Sequence, residues 1–288
     1  MRALITGVLG QDGSYLAEQL LADGHDVFGM VRRSNGHSPA KLLIGDLLDQ
    51  DSIERVLHQC APDVVFNLAA VTSPGGAWGT PQPPLLAEVT GVGVVRLLDA
   101  MLNCAPRARL VHASSSAVYE PARYGLYGIA KQFAHQAVVG YRHKIHASNA
   151  VLFSHTSPRQ DPRFLARRIC STIATGGKLV LGDVDSRRDW GYAPDYMRAL
   201  PLIATQGAPG DWVIATGVTQ SVRDLTETAL KLCDRSWDEV VTIDHSLPRV
   251  RDEVHPDAAE RRLATTRALG WRPETSFEDM VAALCGSP

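Results

Sequence analysis

Two hydrophobic periods alternate along the first half of this chain, and few architectures accommodate that. Between residues 2 and 153, short runs of β-type residues are separated by longer stretches whose apolar residues recur at helical spacing. This is the pattern of βαβ units closing a parallel sheet. Strands are expected at 2–6, 26–31, 41–44, 64–68, 109–112 and 149–153, with helices at 14–22, 51–60, 90–103 and 127–143. Together they predict a doubly wound α/β fold. Beyond residue 154 single elements replace the alternation: a helix at 162–174, a strand at 178–181, a helix at 194–205, a strand at 212–216, and helices after Ser221 and Ser276. The Gly- and Pro-rich segment 74–84 reads as a loop, and no internal repeat is present.

With 288 residues, 45% apolar and 21% charged, the chain is long enough for two structural units and holds no apolar run of membrane-spanning length. Its 29 basic and 31 acidic side chains leave a net charge of -2, so no general field attracts a nucleic-acid backbone. An anionic ligand has to be met by a local cluster. Cys60, Cys104, Cys170, Cys233 and Cys285 form no C-x-x-C pair and no zinc-ligand spacing, which argues against a disulfide framework and a structural metal. No secretory leader precedes the first strand, and a cytoplasmic location is expected.

Gly7, Gly10 and Gly13 stand between the first strand and the first helix. Glycine serves there when the backbone must turn tightly and approach a pyrophosphate, which the N-terminal N–H groups and dipole of the helix attract. The same spacing also describes a plain turn. The second strand runs into Arg32-Arg33, where an NAD site usually carries an acidic residue for the ribose hydroxyls. Two arginines suit the 2′-phosphate of NADP, or else form a solvated basic loop. Asp46, next to Leu47, either accepts from an adenine amino group or caps the helix near Asp51. Leu68, Ala69 and Ala70 close the fourth strand with little bulk, as a cofactor across the strand ends requires and as tight helix packing also requires.

Tyr127 and Lys131, four residues apart on one helical face, follow a strand ending in Ser114-Ser115-Ser116. In this arrangement the ammonium is expected to lower the phenol pKa, and the Ser115 hydroxyl to hold the same oxygen. A phenolate there takes the proton of a sugar hydroxyl while hydride leaves its carbon, or the reverse. A bland surface pair is the alternative. Of the histidines, His112 is expected to end a strand, and His135, His143 and His146 to lie exposed along a helix and its exit. Only His155, in the loop after the sixth strand, is a site candidate, and the chemistry requires no metal.

Segments 5–18, 31–34, 45–47, 153–159, 188–191, 213–217 and 269–273 together resemble the extended short-chain dehydrogenase/reductase family, and within it the GDP-mannose 4,6-dehydratases. The resemblance implies an NADP-binding Rossmann domain over 1–154. It also implies a mainly nucleotide-sugar-binding lobe over 155–288, from which about 190–220 returns to the first domain. Hydride would leave sugar C4 with Tyr127 as base, in a catalytic set of Ser115, Tyr127 and Lys131. Cofactor contacts are implied for Gly7, Gly10, Gln11, Asp12, Gly13, Arg32, Arg33, Asp46, Leu47, Leu68, Ala69, Ala70, Tyr127, Lys131 and His155. Substrate contacts are implied for Thr72, Ser116, Ser154, Arg159, Arg188 and Arg251, with Arg188 and Arg251 suited to clamp a pyrophosphate. NADP is favoured over NAD, and a GDP-hexose over other nucleotide-diphosphate sugars, with no nucleic-acid or membrane partner.

Departures from the dehydratase pattern change this expectation. Two residues after Ser115 the pattern has a Glu that removes the C5 proton so that water can leave C6; here Ala117 stands in its place. Losing such a base costs roughly 10²- to 10⁴-fold. Glu120, three residues on, is the nearby substitute. The segments 115–127 and 33–41 are shorter than in the family, and the second one's longer form helps to join dimers into tetramers, so a homodimer is expected. Ser154 and Thr156 replace a family Asn and Glu, and Gln160 replaces an Arg. The expectation that follows is NADP(H)-dependent hydride transfer at C4, as a 4-ketosugar reductase or epimerase. The alternatives are 4,6-dehydration or another elimination with an unconventional base, and a non-catalytic NADP-binding sensor.

Overall fold

The computed structural model of the chain describes residues 1–33, 36–72, 82–206, 208–247 and 268–286. In chain order its elements are β1 (Arg2–Thr6), α1 (Gln11–Ala22), β2 (Asp26–Val31), β3 (Lys41–Ile44), α2 (Gln50–Cys60), β4 (Val64–Asn67), α3 (Pro83–Leu86), α4 (Gly93–Cys104), β5 (Arg109–Ser115), α5 (Gly125–Tyr141) and β6 (Ala147–Leu152). There follow β7 (His155–Thr156), α6 (Leu165–Ala174), β8 (Leu179–Leu181), β9 (Arg187–Arg188), β10 (Gly191–Tyr192), α7 (Ala193–Gln206), β11 (Asp211–Ile214), β12 (Gln220–Ser221), α8 (Val222–Leu232), α9 (Trp237–Val240), β13 (Val241–Ile243) and α10 (Phe277–Cys285). Two compact units result, one of Met1–Leu152 with Met197–Ile214, the other of Phe153–Tyr196 with Ala215–Pro288.

The first unit is a seven-stranded parallel sheet in the order β11-β6-β5-β4-β1-β2-β3. Every residue of β4 and β6 is buried, as expected of strands covered by helices on both faces. One of its helical layers packs Ile53 and Leu57 of α2, Leu97 and Met101 of α4 and Val138 of α5 against Leu4, Val65 and Leu110 of the sheet. β1 pairs with β2 on one side and β4 on the other. Strand order reverses at β1, and the carboxyl ends of β1 and β4 border the crevice where such sheets bind ligands.

Four local expectations need correction. β5 runs on to Ser115, so His112 lies in mid-strand and is buried, because the serines are held in a ladder with Val151 and Leu152 of β6. The helix expected at 90–103 begins earlier and is not all α: a π-helical turn, Ala87–Val92, runs directly into α4, with the buried Thr90 hydroxyl accepting the Val71 N–H at 2.9 Å. Asp49, not Asp46, caps α2 by accepting the Ser52 N–H at 3.3 Å. His135 is buried rather than exposed, since Ser114 and Asp211 offer its ring polar partners within the fold.

The second unit has its own core, in which Ile169 of α6, Leu181 of β8, Leu225 of α8 and Val281 of α10 meet Trp190. Three two-stranded sheets, β10-β7, β12-β9 and β13-β8, edge it. Among the described residues no helix is long and apolar enough to cross a membrane.

Candidate active site

The glycine turn is built so that side chains are excluded from it. Gly7 has φ +72°, and a Cβ there would lie 2.9 Å from the Ala69 nitrogen. At Gly13 a Cβ would lie 2.2 Å from the Gly7 carbonyl oxygen. The Gly10 N–H donates to that same oxygen at 2.9 Å, and no side chain caps α1, which starts directly after it. The turn is thus a backbone-lined cradle at a helix N-terminus, the geometry that receives a phosphate.

A buried polar chain, which the sequence reading missed, ties the strand ends beneath this cradle. Thr6 Oγ1 donates to Asn67 Oδ1 at 2.6 Å and accepts the Ala69 N–H at 3.1 Å, while Asn67 Nδ2 meets His112 Nδ1 at 3.1 Å. Burial, with the charges of Lys131 and His135 adding to it, holds His112 well below its ordinary pKa, so the ring is neutral and Nδ1 accepts. The only sequence signal was three polar residues inside otherwise apolar strands.

Around the cradle, Arg32 and Arg33 are exposed directly after β2. Asp46 is half-buried and accepts the Leu48 N–H at 3.0 Å, with Leu47 buried beside it. Leu68, Ala69 and Ala70 are half-buried, and Thr72 is exposed. Gln11 Nε2 donates to Asp12 Oδ1 at 2.9 Å.

Ser115, Tyr127 and Lys131 come together. Ser115 Oγ accepts the Ala117 N–H at 3.2 Å, and its hydroxyl hydrogen-bonds the Tyr127 side chain. Lys131 is 5% exposed, donates to the Ala113 carbonyl at 2.7 Å and has Nζ 6.0 Å from the centre of the Tyr127 ring. The electrostatics correct the sequence reading. Burial pushes the Tyr127 phenol up to about 12, the Ser115 hydrogen bond opposes that, and the Asp12 charge adds to it. Burial likewise brings Lys131 down to about 8, with Asp12 opposing. What lowers the phenol is the Ser115 hydrogen bond and not the Lys131 charge, which was expected to do it and lies 6.0 Å from the ring centre. The Asp12 charge, at the start of α1, acts on both groups.

Ser116 is half-buried, and Ala117 is buried. Glu120 pairs with Arg123 at 3.0 Å. Behind Lys131, one helical turn on, His135 Nδ1 meets Ser114 Oγ at 2.9 Å.

In the second unit, His155 Nδ1 donates to the Phe153 carbonyl at 2.7 Å, and its ring stacks on Tyr196 at 4.9 Å. Gln160 closes this loop by accepting from Thr156 Oγ1 at 2.7 Å and donating to the His155 carbonyl at 3.3 Å. Ser154 is half-buried, Arg159 is exposed, and the Arg188 guanidinium lies over Trp190 at 5.4 Å. Asp189, buried beside it, accepts from the Thr216 and Gly217 N–H groups at 2.7 and 2.8 Å, fixing the turn after β11. Arg251 lies outside the described residues. Among the described residues no group of His, Cys, Asp and Glu could hold a metal ion.

Comparison with known proteins adds to this geometry. A family model described as GDP-mannose 4,6 dehydratase matches residues 4–284. A GDP-mannose 4,6-dehydratase of Sinorhizobium fredii is 34% identical over 338 aligned positions, covering 98% of this chain and 95% of the relative. The alignment is longer than this chain, so it carries gaps here. The human GDP-mannose 4,6 dehydratase is 31% identical, with 97% of this chain and 89% of the relative covered. Among solved structures, UDP-glucose 4-epimerase of Thermotoga maritima, with UDP-glucose, superimposes with a TM-score of 0.85 at 22% identity, covering 99% of this chain and 98% of that one. A dTDP-glucose 4,6-dehydratase of Bacillus anthracis in complex with NAD gives 0.82 at 17% identity, with coverage of 99% and 95%. These two likenesses concern the fold.

Proposed function

Because this chain belongs to the GDP-mannose 4,6-dehydratase family of nucleotide-sugar enzymes, we propose that it binds NADP and a GDP-hexose, oxidises the sugar at C4, and carries out 4,6-dehydration overall. The observation that carries the reading is the Tyr127 phenol, hydrogen-bonded by Ser115, with Lys131 6.0 Å from its ring. That set serves C4 chemistry whichever product follows.

The cradle fits a dinucleotide, since no side chain caps the start of α1 and Gly7 and Gly13 hold the turn too tight for a Cβ. Gly7, Gly10, Gly13 and the first turn of α1, with Gln11 and Asp12, would hold the pyrophosphate. Exposed Arg32 and Arg33 would take the 2′-phosphate that distinguishes NADP from NAD, and Asp46 the adenine. When bound, the oxidised nicotinamide supplies a hydride acceptor and a positive charge. With that positive charge drawing the phenol down from about 12, Tyr127 would remove the C4 hydroxyl proton, Ser115 would donate to the phenol oxygen, and Lys131 would offer a buried cation nearby. Arg159, Arg188 and Arg251, with Ser154 and His155, are assigned to ligand binding in the second unit. Ser116 and Thr72 are assigned to the sugar.

Dehydration ranks first because the relatives are dehydratases by name. It requires a C5 base other than residue 117, and Glu120, now paired with Arg123, is the nearest carboxylate in sequence. Ala117 favours a second reading, reduction or epimerisation through a C4 ketone, which needs only Ser115, Tyr127 and Lys131. Incubation with GDP-mannose and NADP⁺ separates them. A product lighter by one water supports dehydration; a C4 epimer, or turnover only when a 4-ketosugar and NADPH are supplied, supports the second reading. Tight NADP binding with no turnover of any nucleotide sugar would leave the sensor.

We also assign a homodimer. Ile129 and Phe133, four residues apart on α5, are 52% and 51% exposed and form an apolar step suited to a second copy.

A further inference from the structure

Behind the catalytic set runs a Ser–His–Asp chain that the C4 chemistry leaves unused. Ser114 Oγ meets His135 Nδ1 at 2.9 Å, and His135 Nε2 faces Asp211 Oδ2 at 3.4 Å. Ser114 is 3% exposed and His135 7%, so this serine does not reach a substrate and the chain is not a nucleophile with its base. Asp211, on the edge strand β11, is held in turn. Arg142 pairs with it, and Asn149 Nδ2 donates to its Oδ1 at 3.0 Å and to the His135 carbonyl at 3.3 Å. Both ring nitrogens of His135 thus have a partner, and its place on α5 is fixed from β6 and β11.

What the chain grips is the end of β5. That strand pairs with β4 from Arg109 to His112, while Ala113, Ser114 and Ser115 run on with register partners only in β6 among the described residues. The strand end therefore has a backbone ladder on one flank. Two bonds from α5 brace it: Lys131 Nζ donates to the Ala113 carbonyl at 2.7 Å, and one helical turn further on His135 takes the Ser114 hydroxyl. Side chains alternate along a strand, so a clasp on Ser114 aims its neighbour Ser115 the other way. Ser115 Oγ there accepts the Ala117 N–H at 3.2 Å, which makes that amide a reporter of where the hydroxyl stands.

We propose that His135 is a positioning residue for the catalytic set: braced by Asp211, it holds Ser114 and so fixes the end of β5, which carries Ser115, against α5, which carries Tyr127 and Lys131. The two ring nitrogens divide the task. Nδ1 makes the contact with β5, and Nε2 with Asp211 keeps the ring turned toward it. Lys131 alone would let the strand end pivot about the Ala113 carbonyl, whereas two bonds one helical turn apart do not. A group displaced by about 1 Å at a reacting centre costs on the order of 10²-fold in rate. This role rests on the C4 reading, since the place of Ser115 matters to a rate only where the set acts on a substrate.

The test separates the two nitrogens. An Asn amide sits where Nδ1 does and keeps Ser114, while a Gln amide sits where Nε2 does and keeps Asp211. The full-length parent, Ser114→Ala, His135→Gln and His135→Asn are assayed with NADP⁺ and GDP-mannose deuterated at C4, and hydrogen exchange of the Ala117 amide is followed without substrate. Ser114→Ala and His135→Gln should each lower kcat for deuterium removal roughly tenfold or more at unchanged KM and NADP affinity, and speed Ala117 exchange roughly tenfold. His135→Asn should rescue both to within about threefold of the parent, and the two damaging changes combined should be no worse than either alone. Equal losses in His135→Gln and His135→Asn, a loss confined to KM, or Ala117 exchange that neither damaging change speeds would overturn the proposal. A parent protein that leaves deuterium on C4 sinks the C4 reading instead, and the exchange rates then decide by themselves whether His135 holds the strand end.

Discussion

At Tyr127 burial and the Ser115 hydroxyl act in opposite directions, and burial prevails, leaving the phenol near 12. Lys131 is the more easily titrated partner, because burial brings it to about 8 from its ordinary value of 10.5. Its charge is therefore present below about pH 8 and lost above. Initial rates of C4 oxidation measured from pH 6 to 10 should fall above about pH 8, and a rate still level at pH 10 would show that the ammonium contributes nothing. The i, i+4 pairing of these residues was legible in the sequence, as was the methyl group at 117. The direction of the phenol shift was not, because burial by residues distant in the chain outweighs a neighbour four residues away.

Among the elements, the β1-to-α1 turn has the tightest tolerance. Gly13→Ala puts a methyl group 2.2 Å from the Gly7 oxygen, a backbone atom that cannot rotate away. The change should destabilise the protein by about 1–3 kcal/mol in urea denaturation and weaken NADP binding. The junction of α5, β6 and β11 depends on Asp211. Burial alone would raise its carboxyl, but bonds from His135, Arg142 and Asn149 outweigh that and hold it well below the usual carboxylate range. A carboxylate depressed in the folded state stabilises above its unfolded pKa of about 3.9 and loses that contribution as pH falls through the folded value. Asp211→Asn should then be less stable than the parent at pH 7, with the gap narrowing below about pH 4 in urea titrations at the two pH values. Element positions were largely readable because helix and strand periods differ. The end of β5 was hidden because Ser114 and Ser115 carry little strand preference, and pairing with β6 supplies what propensity does not. His135 looked like a surface residue because its partners, Ser114 and Asp211, lie 21 residues before it and on a strand near the end of the first unit.

At the scale of the whole molecule, family membership inverts the ranking of outcomes that Ala117 suggested. One missing carboxylate argues for a C4 reductase or epimerase, while a family match over residues 4–284 argues for dehydration. The assigned homodimer predicts twice the mass of one chain in sedimentation, reduced to one chain by Phe133→Glu; a parent protein that sediments as a single chain would count against it. The central claim is hydride removal from C4 by the Tyr127 set, and GDP-mannose deuterated at C4 follows that hydrogen directly. With NADP⁺, the parent protein should strip deuterium from C4, and Tyr127→Phe should do so roughly 10²- to 10⁴-fold more slowly. Deuterium that stays on C4 in the presence of the NADP-bound parent protein would contradict the account.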